Sequence, residues 1–282
     1  MAARILKCPV CDRPLTVLGA SATCELGHAF DLARSGYLNL LLPSQRHSPQ
    51  PGDSPAMLRS RRAMLQAGVY DPMASATHAA VVGVLADRGA ARIADLGCGE
   101  GYFLDRLARD LAAGAGAKAH DYYGVDISRA GIKMATTYAA DVTWIVASLH
   151  HSPFMPQSLD VVLSMFAPIA VADVRRVLRH DGALISVTPG PDHLDALRAI
   201  IYPTVVPHAP TPASMAGDSG FDLSSSSRVR STIAVTSHDQ IMHLLAMTPY
   251  YWNISRETKA RVEACSRLDL TVDAYVNVFR PR

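Results

Sequence analysis

Four potential metal ligands stand near the start of the sequence in two short pairs. Two residues separate Cys8 from Cys11, and twelve more residues lie between Cys11 and a second pair, Cys24 and His28. Three thiolates and one imidazole at this spacing can surround one zinc ion tetrahedrally, in a closed and therefore structural site. A redox Cys-x-x-Cys pair and a chance grouping of free cysteines are the alternatives. The spacing favours zinc, which would stabilise a segment too small for its own core.

A glycine-rich turn, DLGCGEGYF at residues 95–103, is the second stretch with chemical potential. Gly97, Gly99 and Gly101 follow a short apolar stretch and open a helical pattern. Glycines between a strand and a helix let a ligand approach the backbone closely. The spacing differs from the dinucleotide pattern G-x-G-x-x-G, and Glu100 would repel a pyrophosphate. We therefore expect a cofactor without phosphates, unless this is an ordinary turn without a ligand.

The glycine-rich turn resembles motif I of the class I S-adenosylmethionine-dependent methyltransferases, whose cofactor is an adenosine bearing a sulfonium amino acid. The next apolar stretch ends on Asp126. An acid at the tip of the second strand can accept hydrogen bonds from both ribose hydroxyls; alternatively, Asp126 only caps the following helix. Ser148, after the third strand, is expected beside the adenine. The segment SMFAP, residues 164–168, either borders the transferred methyl group or is chosen only for packing.

The elements around these residues alternate between strand and helix patterns. Strands are predicted at 91–96, up to 126, and at 142–148, 159–166 and 183–189. This alternation predicts an α/β fold, a Rossmann-like, doubly wound and mostly parallel sheet that binds ligands at the strand C-termini. Two last strands, 230–237 and 270–281, are expected to extend it in antiparallel sense. The proline-rich stretch 200–220 reads as an irregular excursion, a lid or substrate loop.

Composition and charge narrow the possible classes of protein. The 282 residues are about half apolar, so a sizeable core can form. No apolar run reaches the length of a membrane span and no signal-peptide core opens the chain, which predicts a soluble, cytoplasmic protein. Residues 1–70 carry eight Lys and Arg against four acids, a charge of +4 that leaves −2 for the rest. A basic helix over 57–70 is either phosphate-facing or simply solvated.

The zinc spacing, followed in order by SGYLNLL, PGDS, RRAML-x2-GVY, DLGCGEGYF and TPGPDHL, resembles the bacterial 23S rRNA (guanine-N1)-methyltransferases over nearly the whole chain. The resemblance implies methylation of guanine N1 in a hairpin loop near the macrolide site and exit tunnel. That family has a housekeeping branch and a branch that protects antibiotic producers against macrolides such as tylosin. The composition, rich in Ala and Arg with few Lys, favours the second branch.

The resemblance also implies the organisation and the partners of the chain. Residues 1–42 would form a zinc-binding RNA-recognition module, 43–72 a linker loop and basic helix, and 73–282 the S-adenosylmethionine-dependent methyltransferase domain. The implied cofactors are S-adenosylmethionine and one structural zinc ion. The implied partner is 23S rRNA, with no membrane, and a homodimer is left open.

Individual residues acquire roles from the same resemblance. Tyr70 in GVY and His193 in TPGPDHL match positions that contact the cofactor in such enzymes. The cofactor loop contributes Asp95, with Phe103 and Leu104 just past it. Relatives often carry a tyrosine and a polar residue at these last two positions, so this chain departs from the pattern there.

Methyl transfer is an in-line displacement, so the enzyme mainly aligns the reacting atoms. Guanine N1 carries a proton that a base or water must accept, and the guanine must leave its stack. Asp53 in PGDS is the preferred base and His193 the second candidate, with Tyr70 and Phe166 as stacking surfaces. Alternatively, Asp53 is the N-cap of a helix that starts near Pro55. Rival functions are a small-molecule methyltransferase and a non-catalytic RNA-binding protein on the same fold.

Overall fold

The computed structural model describes residues 5–46, 48, 51–114, 117–206, 208, 219–252 and 254–282, so most of the predicted excursion lies outside the described residues. The chain begins with a small antiparallel sheet of three strands, which are adjacent in sequence order. These strands are β1 (Thr16–Leu18), β2 (Ser21–Thr23) and β3 (Ala29–Asp31). The predicted zinc ligands Cys8 and Cys11 precede β1, whereas Cys24 and His28 lie in the connection between β2 and β3.

An eight-stranded sheet forms the body of the protein. Its strands are β4 (Leu38–Asn39), β5 (Arg92–Leu96), β6 (Asp121–Asp126), β7 (Val142–Val146), β8 (Leu159–Met165), β9 (Leu178–Pro189), β10 (Phe221–Val235) and β11 (Leu268–Pro281). Their order is β10-β11-β9-β8-β5-β6-β7-β4, in which β9 to β4 run parallel. β11 and β10 extend the sheet in antiparallel sense, as predicted. The doubly wound α/β fold is confirmed.

Eight α-helices surround this sheet within the described part of the chain. They are α1 (Pro55–Gln66), α2 (Asp71–Leu85), α3 (Tyr102–Ala113), α4 (Arg129–Ala135), α5 (Val171–Val177), α6 (Asp195–Ile201), α7 (His238–Ala246) and α8 (Arg256–Glu263). Among the described residues, no helix is both long and apolar enough to cross a membrane.

Local chemistry explains the start and the end of α1. The backbone N–H of Met57 donates to the Ser54 hydroxyl, and Pro55 occupies the first helical position. The alternative that Asp53 caps this helix is therefore wrong. The helix predicted over 57–70 ends earlier, because Gly68 adopts a positive φ of 78° that interrupts helical geometry.

Strands β9 and β10 are longer than their hydrophobic patterns indicated. β9 begins at Leu178 rather than 183, and β10 begins at Phe221 rather than 230. In β10 the polar run 224–227 carries no alternation of apolar residues, but its backbone pairs with β11. Backbone pairing with a buried neighbour extends a strand beyond the residues whose side chains mark it.

The N-terminal segment is attached to the body through a shared core. Ile5, Leu6 and Leu15 belong to one buried cluster with Phe154 and residues of the main sheet. The backbone N–H of Met155 donates to the Ile5 carbonyl at 2.7 Å. β4, which also precedes residue 42, pairs with β7. The predicted domain boundaries at residues 42 and 72 stay a prediction. Apolar side chains on the two sides of the boundary at residue 42 pack together in one core.

Candidate active site and zinc centre

A cavity of about 810 Å³ opens at the C-terminal ends of β5, β6, β8 and β9. The chain builds β5, β6 and β7 in one direction and then returns to place β8 on the other side of β5. Such a reversal leaves a crevice outside the strand ends, which is the usual ligand site of an open α/β sheet. The cavity brings together eight predicted site residues: Asp53, Tyr70, Asp95, Gly97, Gly99, Phe103, Asp126 and His193.

Asp126 lies at the tip of β6 and is held by two backbone donors. Its Oδ2 accepts from the N–H of Gly99 at 2.8 Å, and its Oδ1 accepts from the N–H of Ser128 at 2.7 Å. The side chain of Ser128, rather than that of Asp126, caps α4 by accepting from the N–H of Gly131. Burial raises the pKa of Asp126, although the two N–H donors oppose this. The carboxylate is thus fixed with lone pairs available toward the cavity.

The glycines of the turn serve close packing as well as access. A Cβ on Gly97 would lie 2.5 Å from the Cβ of Ala167, and one on Gly101 would lie 2.6 Å from the ring of Trp144. Both glycines also adopt a φ of about 90°, which other residues rarely do. The turn therefore requires glycine even before a ligand is considered.

Asp95 lies near the C-terminal end of β5, where that strand meets the cavity, and its environment is unusual. Its residue is 1% exposed, and neither carboxylate oxygen has a hydrogen-bond partner within the described part of the chain. Burial, together with the charge of Asp126, raises the pKa of Asp95 to about 8. A buried carboxylate without a partner is costly, so this position calls for a cationic donor from a ligand.

Three predicted cofactor residues lie behind the cavity lining rather than in it. Leu104 is completely buried in the core, and Gly101 packs on Trp144. The Ser148 hydroxyl accepts from the N–H of His150, while its neighbour Leu149 lines the cavity. A role in cofactor binding stays a prediction for these three residues. Their placement favours support of the residues that line the cavity over direct contact with the cofactor.

Arg62 connects α1 to the glycine-rich turn. Its Nε donates to Glu100 Oε2 at 2.6 Å, and its guanidinium lies 4.7 Å from the ring centroid of Tyr138, whose hydroxyl also donates to Glu100. Glu100 is 1% exposed and its charge is matched by Arg62. Repulsion of a pyrophosphate by Glu100 is thus weaker than the sequence indicated, and Arg62 does not face the solvent as a free phosphate ligand.

Asp53 reaches the cavity from the loop before α1. Its Oδ2 forms an ion pair with Arg61 at 2.6 Å, and its backbone carbonyl accepts from the Ser128 hydroxyl. A Cβ on Gly52 would lie 2.9 Å from the Cβ of Ser128, so this loop lies directly on the β6–α4 connection. The predicted linker therefore forms one wall of the cavity.

The opposite wall of the cavity is aromatic. Phe166 follows β8 with a φ of 54°, an uncommon conformation for an aromatic residue, and it is 37% exposed. Its ring stacks on His193 at a centroid distance of 5.4 Å and meets Tyr70 edge to face at 5.9 Å. Backbone strain at an exposed aromatic ring is typical of a functional site. The placement supports a stacking role for Phe166.

Sequence reasoning missed the segment after α7, which lines the same aromatic wall. Met247, Thr248, Pro249 and Tyr250 all border the cavity, and the ring of Tyr250 meets that of Tyr202 at 5.6 Å. The signal available in the sequence was the run of aromatic residues at 250–252 in a chain with few aromatics.

His193 is a neutral imidazole in this wall. Burial, with a contribution from His208, lowers the pKa of His193 from 6.5 to about 4. The backbone N–H of Asp273 donates to its Nδ1 at 3.3 Å. A nitrogen that accepts carries no proton, so the neutral ring carries its proton on Nε2.

The low pKa of His193 predicts acid sensitivity. Between pH 6.5 and 4 the unfolded chain protonates this histidine while the folded chain does not, so stability is lost as the pH falls. Relative to the His193→Gln variant, the wild type should lose up to about 3 kcal/mol of unfolding free energy between pH 7 and pH 4. Urea unfolding of both proteins at several pH values measures this difference. A difference that does not change with pH would show that the ring is protonated as easily in the folded chain.

The zinc ligands converge as predicted. Cys8, Cys11, Cys24 and His28 place their ligand atoms within 4.8 Å of one another. The Cys11–Cys24 Sγ distance is 3.7 Å, and His28 Nδ1 lies 3.6 Å and 3.4 Å from the sulfurs of Cys8 and Cys24. A tetrahedral site with ordinary Zn–S and Zn–N bonds has edges of about 3.5–3.8 Å. The donor set and its spacing therefore fit one zinc ion.

Comparisons with known proteins match both parts of the chain. Residues 6–49 match the N-terminal zinc ribbon of RlmA, and residues 93–182 match the methyltransferase domain. A protein of Anabaena variabilis, provisionally assigned as a methyltransferase from an antibiotic biosynthesis pathway, superimposes with a TM-score of 0.50 at 12% identity. That likeness covers 73% of this chain and 96% of the other and shows the fold alone.

Relatives of nearly equal length identify the family. YxjB of Bacillus subtilis (strain 168), provisionally assigned as a 23S rRNA (guanine-N(1)-)-methyltransferase, is 34% identical over 96% of this chain and 95% of its own length. The 23S rRNA (guanine(748)-N(1))-methyltransferase of Streptomyces fradiae is 29% identical over 99% of this chain and 97% of its own. With its zinc site and its cavity for S-adenosylmethionine, this chain belongs to the family of 23S rRNA (guanine-N1)-methyltransferases.

Proposed function

We propose that this chain transfers a methyl group from S-adenosylmethionine to N1 of a guanine in a hairpin loop of 23S rRNA. One observation carries the proposal: a single cavity joins the carboxylates at the ends of β5 and β6 to an aromatic wall after β8 and β9. The carboxylates Asp95 and Asp126 suit a cationic nucleoside, and the rings of Phe166 and Tyr250 suit a planar base. A cavity with two such ends fits a cofactor and a flipped base side by side.

The cofactor end has a donor set that suits S-adenosylmethionine. Asp126 would accept from the ribose hydroxyls, and the unpartnered oxygens of Asp95 would accept from the ammonium group. Gly97 and Gly99 let the ligand approach the backbone, while Tyr70 and Phe103 line the adjoining wall. S-adenosylmethionine supplies a methyl group that is bound to a positively charged sulfur. After the transfer, the rest of the cofactor leaves as a neutral thioether.

The reaction at the base requires removal of one proton. The N1–H bond of guanine breaks, its electron pair forms the new bond to the methyl carbon, and the pair of the C–S bond returns to sulfur. Asp53 is the proposed acceptor of the N1 proton, because its carboxylate lines the cavity and Arg61 holds it in place. His193 is a poorer acceptor, since its free nitrogen already carries a proton.

The RNA would meet the N-terminal part of the chain. Several cations there are paired within the protein, including Arg61 and Arg62. Arg34, Arg46 and Arg59 are exposed and form no ion pair with any residue in the described ranges. We propose that they contact phosphates of the hairpin and so orient the zinc module on it. A homodimer would offer two such modules to one RNA.

The finer proposal concerns which guanine is methylated. The Streptomyces fradiae relative is named for guanine 748, and this chain matches it along nearly its whole length. Together with the composition rich in Ala and Arg, this supports a guanine near the macrolide site and resistance to tylosin-type macrolides. The proposed place of action is the cytoplasm.

Methyl incorporation tests the proposed function. The purified chain should transfer labelled methyl groups from S-adenosylmethionine to 23S rRNA, and primer extension should stop at one guanine in the hairpin near the macrolide site. Expression in a susceptible strain should then raise its tolerance of tylosin. Binding of S-adenosylmethionine without incorporation into rRNA would favour a small-molecule substrate, and a stop elsewhere would refute the finer proposal.

A further inference from the structure

His193 presents one hydrogen-bond donor to the cavity. Its Nδ1 is engaged by the N–H of Asp273, and Nε2 has no hydrogen-bond partner among the residues that the structure describes. The ring lines the cavity and stacks on Phe166. The Nε2–H is therefore available to a ligand of the cavity.

The position of His193 places this donor at the base end of the cavity. The cofactor carboxylates lie at the C-terminal ends of β5 and β6, whereas His193 follows β9 and Phe166 follows β8. In the sheet, β8 and β9 lie on one side of β5, and β6 lies on the other. A base stacked against Phe166 would thus have its edge beside the imidazole.

Two buried groups hold the loop that carries His193. The carboxylate of Asp273, which is 0% exposed, accepts from Arg228 twice at 2.8 Å and from the N–H of Asp192 at 2.9 Å. Buried Arg198 donates to the carbonyl groups of Pro191 and His193.

The loop packs closely against β11, and the N–H of Gly190 donates to the carbonyl of Asp273 at 2.9 Å. A Cβ on Gly190 would lie 2.3 Å from the Asp273 carboxylate, so a larger residue at that position would displace this side chain. Contacts of this kind fix the orientation of the ring and the nitrogen that carries its proton. Asp273, Arg228 and Arg198 are positioning residues in this arrangement.

The chemistry of guanine N1 calls for a donor at this edge. Removal of the N1 proton leaves negative charge that is shared with the neighbouring O6, so a donor to O6 stabilises the reacting form. Adenine carries an amino group in place of O6. That amino group is itself a hydrogen-bond donor, so it could not accept from the imidazole N–H. Donors aimed at developing charge are worth about 100- to 1000-fold in kcat.

We infer that His193 is a donor rather than the base of the reaction: its Nε2–H binds O6 of the target guanine, stabilises the charge that develops there and selects guanine over adenine. This inference rests on the proposed function.

Two amide variants of His193 separate the donor from the alternatives. His193→Gln can place an N–H near the position of Nε2 but cannot act as a base. His193→Asn can still accept from the N–H of Asp273 but does not reach that position. If His193 is a donor, His193→Gln should keep kcat within about 10-fold of the wild type, and His193→Asn should lose about 100-fold. The far-ultraviolet circular dichroism of both variants should match that of the wild type, which reports their folding.

A modified RNA gives a second readout that does not depend on a large loss of activity. A hairpin with 6-thioguanosine at the target carries a sulfur, a weaker acceptor than oxygen, in place of O6. The wild type should prefer guanosine over 6-thioguanosine, and this preference in kcat/KM should fall about 10-fold in His193→Asn. Equal losses in the two amide variants, or an unchanged preference, would overturn the inference while the proposed function stands. Failure of the wild type to methylate the guanosine hairpin would instead refute the proposed function and the inference with it.

Discussion

Loss of the zinc ion is expected to abolish methylation of the RNA while binding of S-adenosylmethionine persists. Cys24→Ser removes one of four ligands, and a structural zinc site contributes about 10–16 kcal/mol to folding of the segment that it holds. The three short strands of this segment, two of which lie between the ligand pairs, bury too little surface to stay ordered alone. We expect kcat/KM for rRNA to fall at least about 100-fold, equal to about 2.7 kcal/mol of lost interaction. Metal analysis, RNA binding and methyl incorporation measure the effect.

The chain offers a matched control for this experiment. Cys265 lies outside the zinc site, next to α8, where it packs on the edge of the core and its thiol donates to the carbonyl of Arg261. Cys265→Ser should keep one zinc ion per chain and full activity. The cofactor cavity is formed by β5, β6, β8 and β9, so the dissociation constant of S-adenosylmethionine should change no more than about threefold in Cys24→Ser, because additivity holds for separate sites. Full RNA methylation by a zinc-free variant would show that the module is dispensable.

Substitution of the acid at the tip of β6 should remove most of the affinity for the cofactor. Asp126→Ala deletes the proposed acceptor of both ribose hydroxyls and leaves the N–H groups of Gly99 and Ser128 without their partner. A hydrogen bond to a charged group contributes about 1.5–3 kcal/mol. The dissociation constant of S-adenosylmethionine, measured by calorimetry, should therefore rise at least about 100-fold.

Asp121 provides the control for this variant because it lies in the same strand at the opposite end. Its side chain is 61% exposed, and its nearest cation, Arg92, is 3.8 Å away. Asp121→Ala should bind the cofactor as the wild type does. If Asp126→Ala also binds normally, the carboxylate only accepts from backbone N–H groups around the β6–α4 connection. It would then have a structural role and would not bind the cofactor.

Several features of the site could be predicted from the sequence because the chemistry is local. The zinc ligands lie in two pairs within 21 residues, and only a few residue types at such spacing surround a tetrahedral ion. The glycine-rich turn and Asp126 belong to strand–helix connections whose geometry repeats throughout doubly wound sheets. The alternation of strands and helices likewise predicted a mostly parallel sheet, because a helix between two strands returns the chain so that both strands run in the same direction.

The roles of single charged residues depended on contacts far apart in the chain. Arg62 and Glu100 are 38 positions apart, and their pairing turned a predicted basic face into a link between α1 and the glycine-rich turn. Ser54, rather than Asp53, is the N-cap of α1. The backbone dihedral angles determine which of the two adjacent residues occupies the cap position. Patterns of residue type record which side chains are polar, but not which partner each will meet.

The sequence by itself determined the fold class, the zinc ligands and the cofactor turn of this protein, because short spacings and periodic apolar residues encode them. Only the tertiary structure decided that Phe166, His193 and Tyr250 share one wall, and that the N–H of Asp273 sets the proton of His193 on Nε2. His193 and Asp273 are 80 positions apart. A hydrogen bond from a backbone N–H in β11 to a side chain in the loop after β9 leaves no local trace in the sequence, since any residue type except proline could supply the N–H.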